Sequence, residues 1–241
     1  MKAGRVDFHS HILPGIDDGS RSVEESLEML RAEAAQGIGT VVATPHFYAQ
    51  HDAPERFLNR RAAAWEKLRA AMEEEPELPA VILGAEVYYF PGISHSEALS
   101  RLVIGQTGYL LLEMPSAPWT QNMYQEMENI YTKHGITPVI AHIDRYISPL
   151  RYRQILERLE NLPVLVQANS AFFLRLTTAP LALRMLKEKR IHLLGSDCHN
   201  TGARKPELGR AVETIEKHMG ASAMEQIGYY EKLVLAAERS G

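Results

Sequence analysis

Seven short apolar runs, separated by longer amphipathic stretches, constrain this chain of 241 residues more than any other feature. They lie near residues 5–8, 40–44, 80–87, 109–113, 137–141, 163–168 and 191–195. None shows the polar alternation of a half-solvated strand, and such runs belong to parallel sheets covered on both faces. Parallel neighbours need crossover connections, and the intervening segments read as helices. Ser22 with Glu25 gives a capping-box signature, Leu27, Leu30 and Ala34 an apolar stripe, and Gly37 a stop. Pro54 opens a helix over 55–74, and further helices are expected over 120–134, 149–160, 179–189, 206–218 and 221–238. The pattern leaves two choices, a closed barrel or a doubly wound open sheet.

Polar residues at the ends of the runs decide between them. His9 and His11 stand in "VDFHSH", Asp18 in "PGIDDG", His46 in "VVATPH", Glu86 in "VILGAE", Glu113 in "YLLLE", His142 in "PVIAH", and Asp197 and His199 in "HLLGSDCH". An open sheet gathers its chemistry at one switch point, usually beside a Gly-rich phosphate loop, whereas a barrel uses the C-terminal ends of many strands. Here five or six runs end in a candidate, and no G-x-G-x-x-G follows any of them. The expected fold is therefore α/β, a distorted, TIM-like (β/α)7 barrel forming a single domain over 1–241.

The nine candidates differ in weight. His9 and His11 are two apart in an extended segment and face the same side, and Asp197 with His199 repeats that spacing. Glu86 and Glu113 interrupt runs that should be buried, where an unpaired carboxylate is costly. The competing explanation is a salt bridge, but neither run has a basic residue close by in sequence. His46 and His142 taken singly read as core histidines. Asp18 shares its turn with Asp17, which is an equally good donor by residue type. The remaining histidines, His51, His95, His134, His192 and His218, receive no role, and Tyr229 and Tyr230 read as helix surface.

Nine donors exceed the needs of one ion. Imidazole and carboxylate without thiolate suit manganese, iron or zinc. Four carboxylates supply −4, so two divalent ions leave the site neutral and three leave it at +2. A positive site attracts a phosphate dianion, and water bound to such a metal becomes a nucleophile near neutral pH. Three metals and a phosphate ester form the most coherent reading. Arg145 in "AHIDRY" and Arg204 in "HNTGAR" follow candidate ligands and supply guanidinium groups for phosphate oxygens.

Bulk properties exclude other classes. A formal charge of −4 argues against a nucleic-acid partner. One cysteine precludes an internal disulfide, and no leader or apolar span is evident, so a cytoplasmic protein without membrane insertion is expected. Cys198 to Arg204 spells C-x5-R, the pattern of cysteine-dependent phosphatases, but that chemistry leaves nine donors unexplained. If "SDCHN" is extended, Cys198 also points away from Asp197 and His199.

Together, "DFHSH", "ATPH", "GAEVYY", "LLEMP", "AHIDRY" and "GSDCHN" resemble the PHP (polymerase and histidinol phosphatase) superfamily. Within it, "HSHILPGIDDGSRSVEESLEML" is similar to the bacterial metal-dependent protein-tyrosine phosphatases of capsule and exopolysaccharide loci. The similarity runs from residue 5 to about 210. It implies a cytoplasmic, manganese-favouring enzyme acting on a bacterial tyrosine kinase with a tyrosine-rich tail and releasing phosphate. It implies one ion on His9, His11, Glu86 and Asp197, a second on Glu86, Glu113 and His142, and a third on Asp18, His46 and His199. It also makes Arg145 and Arg204 phosphate contacts, with a metal-bridging hydroxide as attacking group. Cys198 departs from the alanine common there, and Asp18 in place of histidine leans away from the histidinol-phosphatase branch. The alternatives are a small-molecule phosphomonoesterase acting on a substrate such as histidinol phosphate, a non-catalytic regulatory barrel, and a DNA exonuclease, the last disfavoured by the acidic charge.

Overall fold

The computed structural model describes residues 4–147 and 152–236. Its strands are β1 (Arg5–Ser10), β2 (Ile38–Ala43), β3 (His46–Phe47), β4 (Ala80–Leu83), β5 (Glu86–Tyr88), β6 (Tyr109–Glu113), β7 (Thr137–Ile140), β8 (Leu165–Asn169) and β9 (Leu193–Gly195). Every pairing among them is parallel. One run has the order β1-β2-β4 and the other β3-β5-β6-β7-β8-β9.

Two expected runs differ from a single strand. The stretch 80–87 breaks at Gly84 and Ala85, and the stretch 40–44 resumes after Thr44 and Pro45 as β3. Both breaks lie at one level, with Gly84 N–H donating to Ala43 O (2.8 Å) and Glu86 N–H to Pro45 O (3.0 Å). Pro45 has no N–H to offer a ladder, so two neighbouring strands bend together there.

The parallel sheet is curled. His11 N–H donates to Cys198 O (2.9 Å) and Asp197 N–H to His9 O (2.7 Å), tying the end of β1 to the segment after β9. Val6, Phe8, Val42, Leu111, Val139, Ala141 and Leu193 form one buried cluster, although they come from strands far apart in the order. A flat sheet does not bring β1 and β9 to the same side chains. Removing the Phe8 ring, which is fully buried, should cost roughly 3–5 kcal/mol.

Helices α1 (Val23–Ala35), α2 (Pro54–Met72), α3 (Gln121–His134), α4 (Tyr152–Leu159), α5 (Ser170–Leu174), α6 (Ala179–Lys187), α7 (Leu208–Met219) and α8 (Ala223–Ala236) follow the strands, contributing buried apolar residues to a larger cluster. Residues 149–151 and 237–238 of two expected helices lie outside the described residues. Only half of the expected capping box forms at α1. Ser22 Oγ accepts from Glu25 N–H (3.2 Å), but the Glu25 carboxylate turns to Arg21 N–H (2.9 Å) and the Arg21 side chain. The short helix α5 and two 3-10 turns over Ile93–His95 and Glu97–Arg101 carry no periodicity that a sequence reading detects. No helix among the described residues is long and apolar enough to cross a membrane.

Candidate metal centre

The chain rises from β1 into the site through an irregularity. Asp7 pairs with Val41 but Ser10 with Ala43, so between these pairs β1 carries one residue more than β2, an irregularity that re-aims its side chains. Phe8 enters the buried apolar cluster, while His9 and His11 turn their Nε2 atoms to within 3.2 Å of each other. Two glycines admit these rings. A Cβ at Gly195 would lie 2.5 Å from His9 Cβ, and one at Gly19 would lie 2.3 Å from His11 O.

Glu86, one per cent exposed, stands at the centre. Its Oε2 lies 3.1 Å from His9 Nε2, 3.2 Å from His11 Nε2 and 3.1 Å from His46 Nδ1. Its Oε1 accepts from His142 Nε2 at 2.7 Å. The register of β3 on β5 sets His46 directly beside Glu86, and β6 brings Glu113 alongside, 3.6 Å from His142 Nε2 and 3.7 Å from His46 Nδ1. Asp197 Oδ1 lies 3.5 Å from His9 Nε2 and 3.6 Å from His11 Nε2. On the outer side, Asp18 Oδ1 lies 3.4 Å from His199 Nε2 and 3.6 Å from His46 Nε2. All nine expected donors thus converge. The tightest groups are His9, His11 and Glu86; His46, Glu86 and Glu113; and His11, Asp18, His46 and His199. His11 and His46 each belong to two of them, so these groups cut across the three-way division that the resemblance implies.

Two of the donors leave the extended path expected of strand ends. His142 has φ +31° and Asp197 φ +54°, both left-handed, which costs a non-glycine residue on the order of 1 kcal/mol or more. "SDCHN" is therefore kinked at Asp197 and not extended, because its carboxylate must return toward His9 while its N–H stays on His9 O.

The electrostatics oppose leaving these groups to themselves. Burial works against ionisation of Glu86, yet the His9 charge and hydrogen bonds from His11 and His142 hold its carboxyl well below the usual range. Burial, together with the Glu86 carboxylate, pushes Glu113 up to about 7. Burial and the neighbouring His11 bring His199 down to about 4. Glu86 Oε2, Glu113 Oε2, His46 Nδ1 and His199 Nε2 are all buried without a hydrogen-bond partner. Buried, unsatisfied imidazole nitrogens and carboxylate oxygens aimed at common points are the donor set of hard or borderline divalent cations, and the residues fit such ions.

Asp17 and Asp18 separate cleanly. Asp17 accepts from His11 Nδ1 (2.8 Å), His46 N–H (3.0 Å) and Gly19 N–H (3.0 Å), so it orients the histidines from behind. Asp18, whose side chain is 64% exposed, is the one that joins His46 and His199. Sequence reasoning missed further supports on β8. Gln167 Oε1 accepts from His142 N–H (2.7 Å) and lies 3.3 Å from His9 Nδ1, and Asn169 Nδ2 donates to Asp197 Oδ2 (2.9 Å). Their signal was polar residues in an apolar run, as for Glu86, but without a charge.

Arg145 and Arg204 flank Asp197, at 2.6 and 2.8 Å from its two oxygens. Arg145 also lies 3.4 Å from Glu113, so that glutamate does have a basic neighbour, supplied by tertiary structure and not by its own strand. Both guanidiniums remain about two-fifths exposed, at the outer edge of the cluster.

Cys198 is fully buried and sits with Asp7 and Glu33, whose carboxyls are also buried. Burial and the two acids push its thiol well above the usual range, which removes it as a thiolate nucleophile. Asp7 Oδ1 meanwhile accepts from the N–H groups of His9 (3.0 Å) and Ser196 (2.8 Å), bracing β1 against the Asp197 turn.

Comparison with known proteins gives a consistent picture. A family model described as capsular polysaccharide synthesis, CpsB/CapC, matches residues 5–234. The tyrosine-protein phosphatase YwqE of Bacillus subtilis is 32% identical over 228 residues, covering 90% of this chain and 85% of that protein. The tyrosine-protein phosphatase CpsB of Streptococcus agalactiae is 26% identical over 232 residues, covering 92% and 94%. A crystal structure from work on YwqE of B. subtilis and CpsB of Streptococcus pneumoniae, described as unique metal-dependent tyrosine phosphatases, superimposes with a TM-score of 0.83. It is 26% identical and covers 98% of this chain and 96% of that one.

Proposed function

This chain belongs to the CpsB/CapC family of capsular polysaccharide synthesis, and from that premise we propose that it is a metal-dependent phosphatase that hydrolyses phosphotyrosine in proteins. The observation that carries the reading is the position of Glu86, with His9 and His11 on one oxygen and His142 on the other, inside a ring of five further donors. We assign three divalent ions, manganese by preference and iron or zinc as alternatives. His9, His11, Glu86 and Asp197 hold the first, Glu86, Glu113 and His142 the second, and Asp18, His46 and His199 the third. We also read the curled sheet as a distorted (β/α)7 barrel in one domain, with β2–β3 and β4–β5 each counted as one interrupted strand. A cytoplasmic location and a bacterial tyrosine kinase as the protein substrate complete the reading.

Bound there, the ions supply a nucleophilic water near neutral pH and charge for the phosphoryl oxygens. The chain supplies the rest. Four assigned carboxylates and Asp17 behind the histidines set −5 against the +6 of three divalent ions, which leaves +1, and the two arginines raise this to +3. Arg145 and Arg204 reach outward from Asp197 and are placed to hold phosphoryl oxygens as charge builds on them. The departing phenolate, with a pKa of about 10, needs little protonation, and no strong acid is required opposite the metals.

The test is a metal-stripped preparation, reconstituted with manganese and offered phosphotyrosine peptide, phosphoserine peptide and histidinol phosphate in parallel. Metal-dependent turnover of the phosphotyrosine peptide is expected. Full activity without metal, or turnover confined to histidinol phosphate, overturns the assignment.

A further inference from the structure

An open cavity of about 650 Å3 begins at the outer donors of the cluster. Asp17, Asp18 and His46 form its inner end, Tyr48 and His51 stand beside them, and Asp52, Arg56 and Arg60 lie in its lining. It therefore opens onto Asp18 and His46, two of the three donors assigned above to the third ion. Another open cavity, of about 830 Å3, is lined by Trp119, Tyr146 and residues of α3 and α4, and none of the nine donors faces it. Of these two cavities only the first borders candidate donors, so it is the one placed to receive the group that an ester carries beyond its phosphate.

Tyr48 is the aromatic carbon-rich surface in that cavity lining next to His46. Its ring stacks on His46, with centroids 5.1 Å apart and planes 29° from parallel. Tyr88 backs it at 5.5 Å, which fixes the ring by contacts at two places. It remains partly exposed and lies in the cavity lining. Ile16 adds a buried apolar side chain to the lining, and the rest is polar: Asp52 pairs with both Arg56 and Arg60, and His51 is exposed.

We infer that Tyr48 is a specificity-determining residue, whose ring packs against the phenyl group of a phosphotyrosine while the phosphate occupies the metal cluster. This rests on the phosphatase reading above. The chemistry is asymmetric: an aryl ester reaches Tyr48 through its ring, whereas an alkyl ester such as phosphoserine brings only a methylene to that wall. Aromatic contact favours the first and leaves the second and free phosphate unaffected.

The test uses the full chain loaded with manganese. KM and kcat are measured for a phosphotyrosine peptide, phenyl phosphate and a phosphoserine peptide, together with inhibition by inorganic phosphate and bound metal content. In Tyr48→Ala, KM for both aryl esters should rise about tenfold, equivalent to roughly 1.4 kcal/mol of lost ring contact. Phosphate inhibition, metal content and the phosphoserine value should stay as in the parent, and Tyr48→Phe should match the parent throughout. If Tyr48→Ala loses metal or melts early, Tyr48→Leu, which keeps apolar volume without the aromatic face, takes its place with the same expectation. An unchanged aryl KM, or a loss shared equally by aryl esters, phosphoserine and free phosphate, overturns the role of Tyr48 alone. A parent protein that binds manganese but turns over no phosphomonoester overturns the phosphatase reading and this inference with it.

Discussion

Asp17 and Asp18 are adjacent and chemically identical, yet their surroundings divide them: Asp17 is held by hydrogen bonds behind His11, and Asp18 faces His46 and His199. Asp17 is pinned by three hydrogen bonds because Gly19 allows the turn to press against His11, a close approach that the residue types alone do not reveal. Asp17→Asn should therefore keep the fold but raise the manganese concentration needed for half-saturation by about 10–100-fold, the usual effect of losing a partner that orients a metal-binding histidine. Titration of the stripped protein checks this. Arg145→Ala should lower kcat/KM by about 100-fold with metal content unchanged, since it removes one positioned charge and no donor. If metal content collapses, Arg145 is a structural partner of Asp197 and Glu113. The donors themselves were legible because charge in an apolar run is costly and therefore conspicuous. Gln167 and Asn169 were not, because a neutral amide at a strand end is common and its partners lie on other strands.

At the scale of the element, the sequence told strands from helices but misplaced where they bend and stop. The run at 191–195 shows why. His192 belongs to it by pattern, but β9 begins only at Leu193, because the His192 ring nitrogen Nδ1 accepts from Val166 N–H (3.0 Å) beside the backbone bond from His192 N–H to Val166 O (2.9 Å). Tyr230 of α8 packs edge-on against that ring at 4.7 Å, so it is part of the packing and not free helix surface, in contrast to Tyr229, which is 62% exposed. Burial brings His192 down to about 4. Its folded pKa is depressed below the unfolded value of about 6.5, so the unfolded chain takes up a proton first as pH falls. Stability is full above about pH 6.5 and is lost toward about pH 4. Between about pH 7 and about pH 5 this one residue should cost about 2 kcal/mol. Denaturant unfolding at both pH values should show a smaller difference in His192→Gln than in the parent. At α1, Ser22→Ala should cost about 1 kcal/mol by the same measurement, because Ser22 Oγ alone caps the Glu25 N–H.

Across the whole molecule, the assigned ligands come from β1, β3, β5, β6 and the segments after β1, β7 and β9, so bound ions join parts of the chain that otherwise meet only through the curled sheet. Chelation should then lower thermal stability as well as activity. At a hundredfold excess over Kd, a bound ion contributes about 2.7 kcal/mol, which corresponds to roughly 5–10 °C in Tm for a chain of this size. Scanning calorimetry with and without chelator checks it, and an unchanged Tm would mean that the ions are not held by the folded state. Parallel pairing was readable from the apolar runs, and the curl from the candidate donors at the ends of so many of them. The paired breaks at Thr44–Pro45 and Gly84–Ala85 were not, since they arise from two strands bending against each other.

The tie between the end of β1 and the segment after β9 also sets a timetable. His9 and His199 stand 190 residues apart in the chain, and the Asp197 N–H bond to His9 O closes the gap between them. Contacts that span so much chain form late, after local helices and neighbouring strands have gathered. A nascent chain on the ribosome lacks Asp197 and His199 until all the strands before them have been made. Its early histidines, His9, His11 and His46, are then exposed to metal ions without the partners that define the centre. The full set of nine candidate donors therefore comes together only after Asp197 and His199 have been made, long after the first histidines.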